Sequence, residues 1–153
     1  MRPRICLFAL ALLTGCDSTP DVVTVHPVSG KVMYDGKPAA GVQVFLLPTS
    51  APMVPEIPAN PHGTTGPDGT FTLTTFKDGD GAAEGGYQVI LLWPPERKDE
   101  EEASEEDRLL GWYTAVHSKL TAHIKAGPNQ LPTFNLPYQK YPPPEAKGIP
   151  GRN

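Results

Sequence analysis

Cysteine is scarce in this sequence, and its placement excludes several kinds of site. The chain has two cysteines, Cys6 and Cys16, both near the N-terminus. If the residues before Cys16 are removed as a signal, no cysteine pair is left to form a disulfide, and the hydrophobic core alone must stabilise the domain. The same scarcity excludes a cysteine-ligated zinc or iron–sulfur site and a catalytic thiol in the mature domain.

The sequence also lacks a membrane-spanning apolar run and an excess of basic charge. The apolar run Ile5 to Leu13 is too short to cross a bilayer. The 17 acidic residues exceed the 13 basic ones, and removal of Arg2 and Arg4 with a signal lowers the net charge from -4 to about -6. This balance disfavours nucleic acid and anionic lipid surfaces as partners.

Catalytic and metal-binding motifs are missing as well. The sequence has no Gly-x-Ser-x-Gly, no His-Glu-x-x-His and no phosphate loop. The spacing of His26, His62, His117 and His123 matches no familiar metal or catalytic site. The Asp-Gly-Asp-Gly that begins at Asp78 resembles the start of a calcium loop but is not followed by the full ligand pattern. We therefore expect no catalytic residue, no metal and no cofactor.

The N-terminus carries the pattern of an export signal. Arg2 and Arg4 precede the apolar run, which ends in Thr-Gly-Cys16. This arrangement resembles a bacterial lipobox, which implies a signal peptide over residues 1–15 and a lipidated tether over residues 16–24. Acyl chains such as palmitate on Cys16 would then hold the protein to a membrane of the cell envelope. An ordinary secretory signal, with Cys16 incidental, is the alternative.

After the N-terminal segment the sequence favours an all-β fold. With 19 prolines and 15 glycines, the chain is typical of a turn-rich β domain and not of a helical bundle. Alternating apolar and polar residues predict a series of short strands. The predicted strands are Val28–Tyr34, Val42–Leu46, Phe71–Thr75, Tyr87–Trp93, Leu120–Lys125 and Thr133–Leu136.

The first two predicted strands are separated by Asp35 to Gly41, whose glycines and proline suit a tight connection. We interpret Val28 to Pro48 as a β-ribbon with one apolar face, which further strands must cover. The nearly continuous apolar run Tyr87 to Trp93 predicts a central strand that is covered on both sides.

Three segments show no alternation. The proline-rich residues 49–61 predict a stiff exposed loop, with a recognition segment as the alternative. The acidic residues 96–107 predict an exposed loop or a short frayed helix that ends near Gly111. Residues 138–153, rich in proline and glycine, predict a disordered tail.

Taken together, these segments resemble the carboxypeptidase regulatory-like family, which has a transthyretin-like (prealbumin-like) β-sandwich. The resemblance covers Val25 to about Leu136. It implies one domain over residues 25–137, with about seven strands in two sheets packed face to face. The matching pieces, in order, are Val28-x-Gly30-x-Val32, Asp35-Gly36-Lys37-Pro38-x-x-Gly41-Val42-x-Val44, Thr65-x-x-Asp68-Gly69-x-Phe71-x-Leu73, Gly86-Tyr87-x-Val89, Ser118-x-Leu120-Thr121 and Gly127-x-Asn129.

These observations lead to one functional hypothesis. We expect a non-enzymatic lipoprotein, anchored to a membrane through Cys16, whose β-sandwich serves as a binding or structural module. Its partner would be an envelope protein or a glycan, contacted by loops or by an edge strand. Trp112 and Tyr113, next to the acidic segment, are the candidate interaction residues.

Two other functions are kept as alternatives. An accessory or hydrolase domain acting on a small molecule or glycan would need His117 and Asp107 close together in a cleft. Some adhesin-type domains form an internal isopeptide bond, and by order along the chain Lys31 and Asn135 are candidates for one. That bond would need a buried carboxylate beside them.

The lack of cysteine pairs gives a first testable prediction. The melting temperature of the mature domain should be the same with and without a thiol reductant, because no disulfide contributes to its stability. Thermal unfolding followed by circular dichroism checks this. A large drop in melting temperature under reductant would contradict the cysteine argument.

Overall fold

The computed structural model describes residues 23–50, 60–95 and 106–144, and every regular element in them is a β-strand. No helix in this part of the chain has the length and apolar character needed to cross a membrane. The all-β prediction is confirmed. The strands are β1 (Val25–His26), β2 (Val28–Tyr34), β3 (Lys37–Pro38), β4 (Gln43–Pro48), β5 (His62–Thr64), β6 (Thr70–Thr72), β7 (Ala82–Ala83), β8 (Gly85–Leu92), β9 (Thr121–Ile124), β10 (Asn129–Gln130) and β11 (Phe134–Leu136).

The first large sheet is built around β2. Strand β6 pairs with it antiparallel, so that Phe71 lies opposite Gly30. On the other side, β10 and β11 pair with it parallel, and Phe134 lies opposite Val32. Strand β3 extends the far end of β2 as a short hairpin. Inward residues of β2 alternate with partly exposed ones, as the sequence pattern predicts.

The second large sheet has the order β5-β4-β8-β9, and all its pairs are antiparallel. Its inward residues include Val44 and Leu46 of β4 and Val89 and Leu91 of β8, each with no exposed surface. They meet the inward residues of the first sheet in one core. Strand β8 is central, as predicted, but its outer face is half-buried and not fully covered.

The predicted β-ribbon is wrong in its pairing. Strands β2 and β4 both form, but they lie in different sheets and pair with different neighbours. The connection crosses from one sheet to the other, and buried Thr65 holds the crossing: its hydroxyl donates to the carbonyl of Ala39 and accepts from the amide of Val42. The two apolar faces therefore meet across the core instead of lying side by side, which removes both from water.

The described residues form eleven strands, whereas about seven were predicted for the domain. Several of the additional strands are only two residues long: β1, β3, β7 and β10. Segments this short carry no periodicity that a sequence pattern could detect. The Pro67-Asp68-Gly69 turn forms as expected, with the Asp68 carboxylate accepting from the amide and the hydroxyl of Thr70.

The described chain enters and leaves the sandwich at opposite ends. Strand β1, paired with β7, lies directly before the start of β2, and we call this the N-terminal end. Strand β11 runs parallel to β2 and finishes beside Tyr34 at the other end of β2. At about 3.3 Å per residue, the seven residues of β2 separate the two ends by roughly 20 Å.

Two glycines in one turn at the N-terminal end provide a matched test of this packing. Gly79 and Gly81 both have positive φ, 72° and 93°, but only a Cβ on Gly81 would collide with the backbone of His26 and Pro27. Gly79→Ala should cost about 1 kcal/mol from backbone strain alone. Gly81→Ala should cost about 3 kcal/mol or more, because it also pushes β1 away from the turn.

Urea unfolding of the two variants, compared with the parent protein, measures both costs. Equal losses of unfolding free energy in the two variants would show that the close approach between Gly81 and His26 does not hold β1 in place.

Candidate interaction surface

The loop after the acidic segment covers the edge of β8 that β9 leaves open. Strand β9 pairs with the first half of β8, from Gly85 to Gln88. Further along, the amide of Leu91 donates to the carbonyl of Tyr113 at 3.0 Å, and the amide of Arg108 donates to the carbonyl of Trp93 at 2.9 Å. Residues 107–118, which we call the covering loop, thus pack along the second half of β8 as a series of turns.

Asp107 fixes the start of this loop. Its carboxylate accepts hydrogen bonds from the amides of Trp93 at 2.9 Å, Leu109 at 3.0 Å and Gly111 at 3.0 Å. Leu110, between the last two, has a positive φ of 54°, a conformation that costs a leucine about 1 kcal/mol or more. The half-buried carboxylate compensates for this strain by binding the amides on both sides of Leu110.

Six aromatic residues gather at the end of the sandwich opposite the N-terminal end. They come from four separate parts of the chain: the end of β2, the end of β8, the covering loop and the segment after β11. We call this surface the aromatic end, and it consists of Tyr34, Trp93, Trp112, Tyr113, Tyr138 and Tyr141.

The inner layer of the aromatic end is tightly packed. Tyr34 and Trp93 meet edge to face with ring centroids 5.2 Å apart. The Trp93 indole donates to the carbonyl of Ala40 at 2.8 Å, and the Arg108 guanidinium lies 3.6 Å from its ring centroid. Tyr113 packs against the core beside them. Burial raises the pKa of the Tyr113 phenol, and the nearby phenol of Tyr34 raises it further.

The outer layer is much more exposed. Tyr138 and Tyr141 are 63% and 67% exposed. Tyr138 contacts the edge of Tyr34, with centroids 6.5 Å apart, and the Lys140 ammonium lies 5.3 Å from the Tyr141 ring centroid. Trp112 is half-buried, and its indole nitrogen donates to the main-chain carbonyl of Tyr141 at 2.7 Å.

The structure separates the two interaction residues chosen from sequence. Trp112 lies at the surface under the chain segment that follows β11, whereas Tyr113 belongs mainly to the inner layer. Sequence reasoning missed Tyr34, Tyr138 and Tyr141, which only the fold brings together. The predicted disordered tail begins at Tyr138, yet Tyr138 to Pro144 are placed against the domain. Cys16 lies outside the described residues, as do 145–153.

The residues of the hydrolase alternative are not hydrogen-bonded to each other. Asp107 accepts from three amides, as described above, while His117 Nδ1 lies 3.3 Å from the hydroxyl of Thr114. The Nε2 atom of His117 is buried and has no hydrogen-bond partner among the described residues. At the N-terminal end, His26 Nε2 lies 3.2 Å from Glu84, and its Nδ1 accepts from the amide of Gly127 at 3.1 Å.

The isopeptide candidates are on neighbouring strands of the first sheet. Lys31 lies opposite Thr70, and Asn135 lies opposite Met33. Asn135 is exposed, and its amide donates to the carbonyl of Thr133. Because isopeptide formation in such domains needs a buried carboxylate beside the two side chains, this exposed arrangement does not favour the bond.

In the loop that begins at Asp78 and resembles the start of a calcium motif, a carboxylate binds the loop's own amides. Asp80 accepts hydrogen bonds from the amides of Thr75, Phe76 and Lys77 at 2.7, 3.0 and 2.8 Å. Burial raises the pKa of Asp80, but these amide hydrogen bonds outweigh it and leave the pKa below its ordinary value of 3.8. Within residues 23–50, 60–95 and 106–144, no group of three His, Cys, Asp or Glu side chains could hold a metal ion.

The surface grooves on the described part of the chain include two beside the sheets. One, of about 580 Å³, runs beside Arg108 and is bordered by Pro95, Glu106 and Leu110. The other, of about 400 Å³, lies where β5 and β6 come together, and hydroxyl groups such as those of Thr64 and Thr70 line it. The first groove adjoins the aromatic end, so this end combines exposed rings, a guanidinium and a concave surface.

The role of Asp107 gives a prediction. Asp107→Ala should lower the unfolding free energy by about 2–3 kcal/mol, because three amides lose a charged acceptor. It should also shift tryptophan emission to longer wavelength, because Trp93 is only 7% exposed and loses the loop that covers it. Asp78→Ala, which removes an exposed carboxylate elsewhere, should change neither quantity appreciably. Similar effects in the two variants would contradict the conclusion that the Asp107 carboxylate holds the loop in place.

Comparison with known proteins adds one structural likeness. The chain is similar to the crystal structure of a DUF3823 family protein from Parabacteroides merdae, with a TM-score of 0.40 and 18% sequence identity. The match covers 76% of this chain and 46% of that protein, so the chain spans less than half of that protein's length. No protein-family model matches the sequence, and no curated protein matches it.

Proposed function

We propose that this chain is a non-enzymatic lipoprotein of the cell envelope that presents a β-sandwich as a binding module. Its anchor would be the lipid on Cys16. Its domain, over residues 25–137, would be a carboxypeptidase regulatory-like, transthyretin-like domain. Its contact surface would be the aromatic end, and its partner an envelope protein or glycan.

The positions of the two ends of the sandwich carry this proposal. The chain enters the described domain at Val23, directly before β1, so a lipid on Cys16 would hold the N-terminal end towards the membrane. The aromatic end lies at the opposite end of β2, roughly 20 Å further from the membrane. An anchored molecule would therefore direct its exposed aromatic rings away from its own membrane, towards other molecules of the envelope.

The chemistry of the aromatic end suits a contact surface. Tyrosine, tryptophan and arginine are the residues that contribute most to binding at protein interfaces, since they combine a large apolar area with a polar group. Here Tyr138 and Tyr141 are exposed, and the Arg108 guanidinium lies over the ring of Trp93. Exposed rings of this kind also stack on the apolar faces of sugars.

The family assignment has support from the fold and from the sequence pieces. The domain has two large sheets, one mixed and one antiparallel, that share one core. The family's sandwich requires such an arrangement. Its Gly-rich turns at Gly36, Gly41 and Gly69 all have positive φ, which explains why glycine stands at these positions of the matching pieces. An accessory or hydrolase role has no comparable observation in its favour.

The anchor is tested by comparing two cysteine variants in a native-like bacterial host. Cys16→Ala should lose both the added lipid mass and membrane retention, whereas Cys6→Ala, which changes a residue inside the predicted signal peptide, should keep both. Intact-mass measurement and detergent partition give the two readouts. A soluble, unmodified parent protein, or a Cys16→Ala variant that still carries lipid, would overturn the proposal of an anchored envelope protein.

A further inference from the structure

The segment that follows β11 lies on the aromatic end without joining a sheet. Among residues 137–144, only Gln139 and Pro143 are half-buried, and the other six are exposed. Its backbone forms no hydrogen bond with the backbone of another described residue. One ring contact and one hydrogen bond connect it to the domain: Tyr138 meets Tyr34, and the carbonyl of Tyr141 accepts from the indole of Trp112.

The sequence of this segment restricts its backbone before any contact with the domain is made. It reads Pro-Tyr-Gln-Lys-Tyr-Pro-Pro-Pro, so four of its eight residues are proline. Proline restricts φ and favours the extended polyproline II conformation, which has no internal hydrogen bonds. Carbonyl groups in such a segment point outward and need an external donor. Trp112 supplies one to Tyr141, the residue directly before Pro142.

This is the chemistry by which proteins bind proline-rich peptides. Such sites offer aromatic side chains on which an extended, proline-restricted peptide packs, and the peptide loses little conformational entropy when it binds. The aromatic end has the same parts: the rings of Tyr34 and Trp112, and an indole N–H directed at a peptide carbonyl. The tail occupies these parts as a ligand would.

We propose that Tyr34 and Trp112 form a binding site for the proline-rich segment of a partner protein, and that the chain's own residues Pro137 to Pro144 fill this site when no partner is bound. This inference rests on the proposed function of the aromatic end as a contact surface and names the chemistry of the partner. The partner segment displaces the tail and takes over its hydrogen bond from Trp112.

A peptide-binding experiment tests the site. The probe is a fluorescein-labelled peptide of sequence Pro-Tyr-Gln-Lys-Tyr-Pro-Pro-Pro, and binding is followed by fluorescence anisotropy. The receptor is the chain ending at Leu136, the last residue of β11 and of the buried core. The full-length chain should bind the peptide at least tenfold more weakly, because its own tail competes at a high effective concentration.

Two substitutions give the experiment its specificity. Trp112→Phe in the shortened chain keeps an aromatic ring but removes the N–H donor, and it should weaken binding roughly fivefold. A peptide in which Pro142, Pro143 and Pro144 are replaced by alanine should bind at least tenfold more weakly than the parent peptide. Melting curves confirm that each chain is folded.

A second form of the receptor guards against loss of folding on shortening. In the full-length chain, the substitutions Pro142→Ser, Pro143→Gly and Pro144→Ser weaken the resident tail without removing it. This chain should bind the labelled peptide more tightly than the unmodified full-length chain. Equal affinity of these two chains would show that the tail does not compete for the site.

Four other outcomes would overturn the proposal. The first is equal binding of the proline and alanine peptides. The second is equal binding by the shortened chain with and without Trp112→Phe when both chains fold. The third is Trp112-dependent binding of an oligosaccharide without binding of the peptide, which would make the aromatic end a sugar site. The fourth is a full-length chain that dimerises through Trp112, which would make a second copy the occupant. All are measured without lipid, so they are independent of the Cys16 result.

Discussion

The fold depends on the burial of two apolar sheet faces against each other, because the domain has no cysteine pair to stabilise it. Strands β2, β4 and β8 each place every second residue in the core, and Val32, Val44 and Val89 have no exposed surface. In the absence of a disulfide, this burial is the main favourable contribution to the free energy of folding. Strands β2 and β4 contribute to this core from different sheets, so their apolar faces meet across it.

A sandwich of this kind still has to protect the edges of its sheets, and the covering loop does this for β8. Strand β9 pairs with only half of β8, and unpaired strand edges invite association with other chains. The Asp107 carboxylate accepts hydrogen bonds from the amides of Trp93, Leu109 and Gly111, and so holds the loop on the remaining edge. The position of the loop then determines where Trp112 lies. The surface we assign to binding is therefore a consequence of how the edge of the second sheet is closed.

The sequence predicted the features that depend on neighbouring residues and missed those that depend on distant ones. Strands such as Val28–Tyr34 and the turn at Asp68-Gly69 were predictable, because alternation and turn preferences are local. The pairing of β2 was not, because an alternating pattern shows which face is buried and not which strand lies beside it. Asp107 was interpreted as part of a solvated acidic run, since nothing in the sequence shows that its oxygens face three amides. Of the aromatic end, the sequence indicated only Trp112 and Tyr113, which are neighbours in the chain. Its other members could not be predicted, because only the folded positions of the strands and the tail bring them there.

The ring contact and the hydrogen bond between the tail and the aromatic end are individually weak. A ring contact and a single hydrogen bond each contribute about 1 kcal/mol, whereas ordering a flexible residue costs about 1–2 kcal/mol. These two interactions alone would not hold an ordinary flexible segment. The tail differs because Pro137 and Pro142 to Pro144 already restrict its backbone, so little entropy is left to lose. A segment whose order comes mainly from its own prolines can be exchanged for another of the same kind, provided that the partner peptide makes enough additional contacts to overcome the high effective concentration of the attached tail. The proline content that places the tail on Trp112 therefore also specifies what kind of molecule can compete with it.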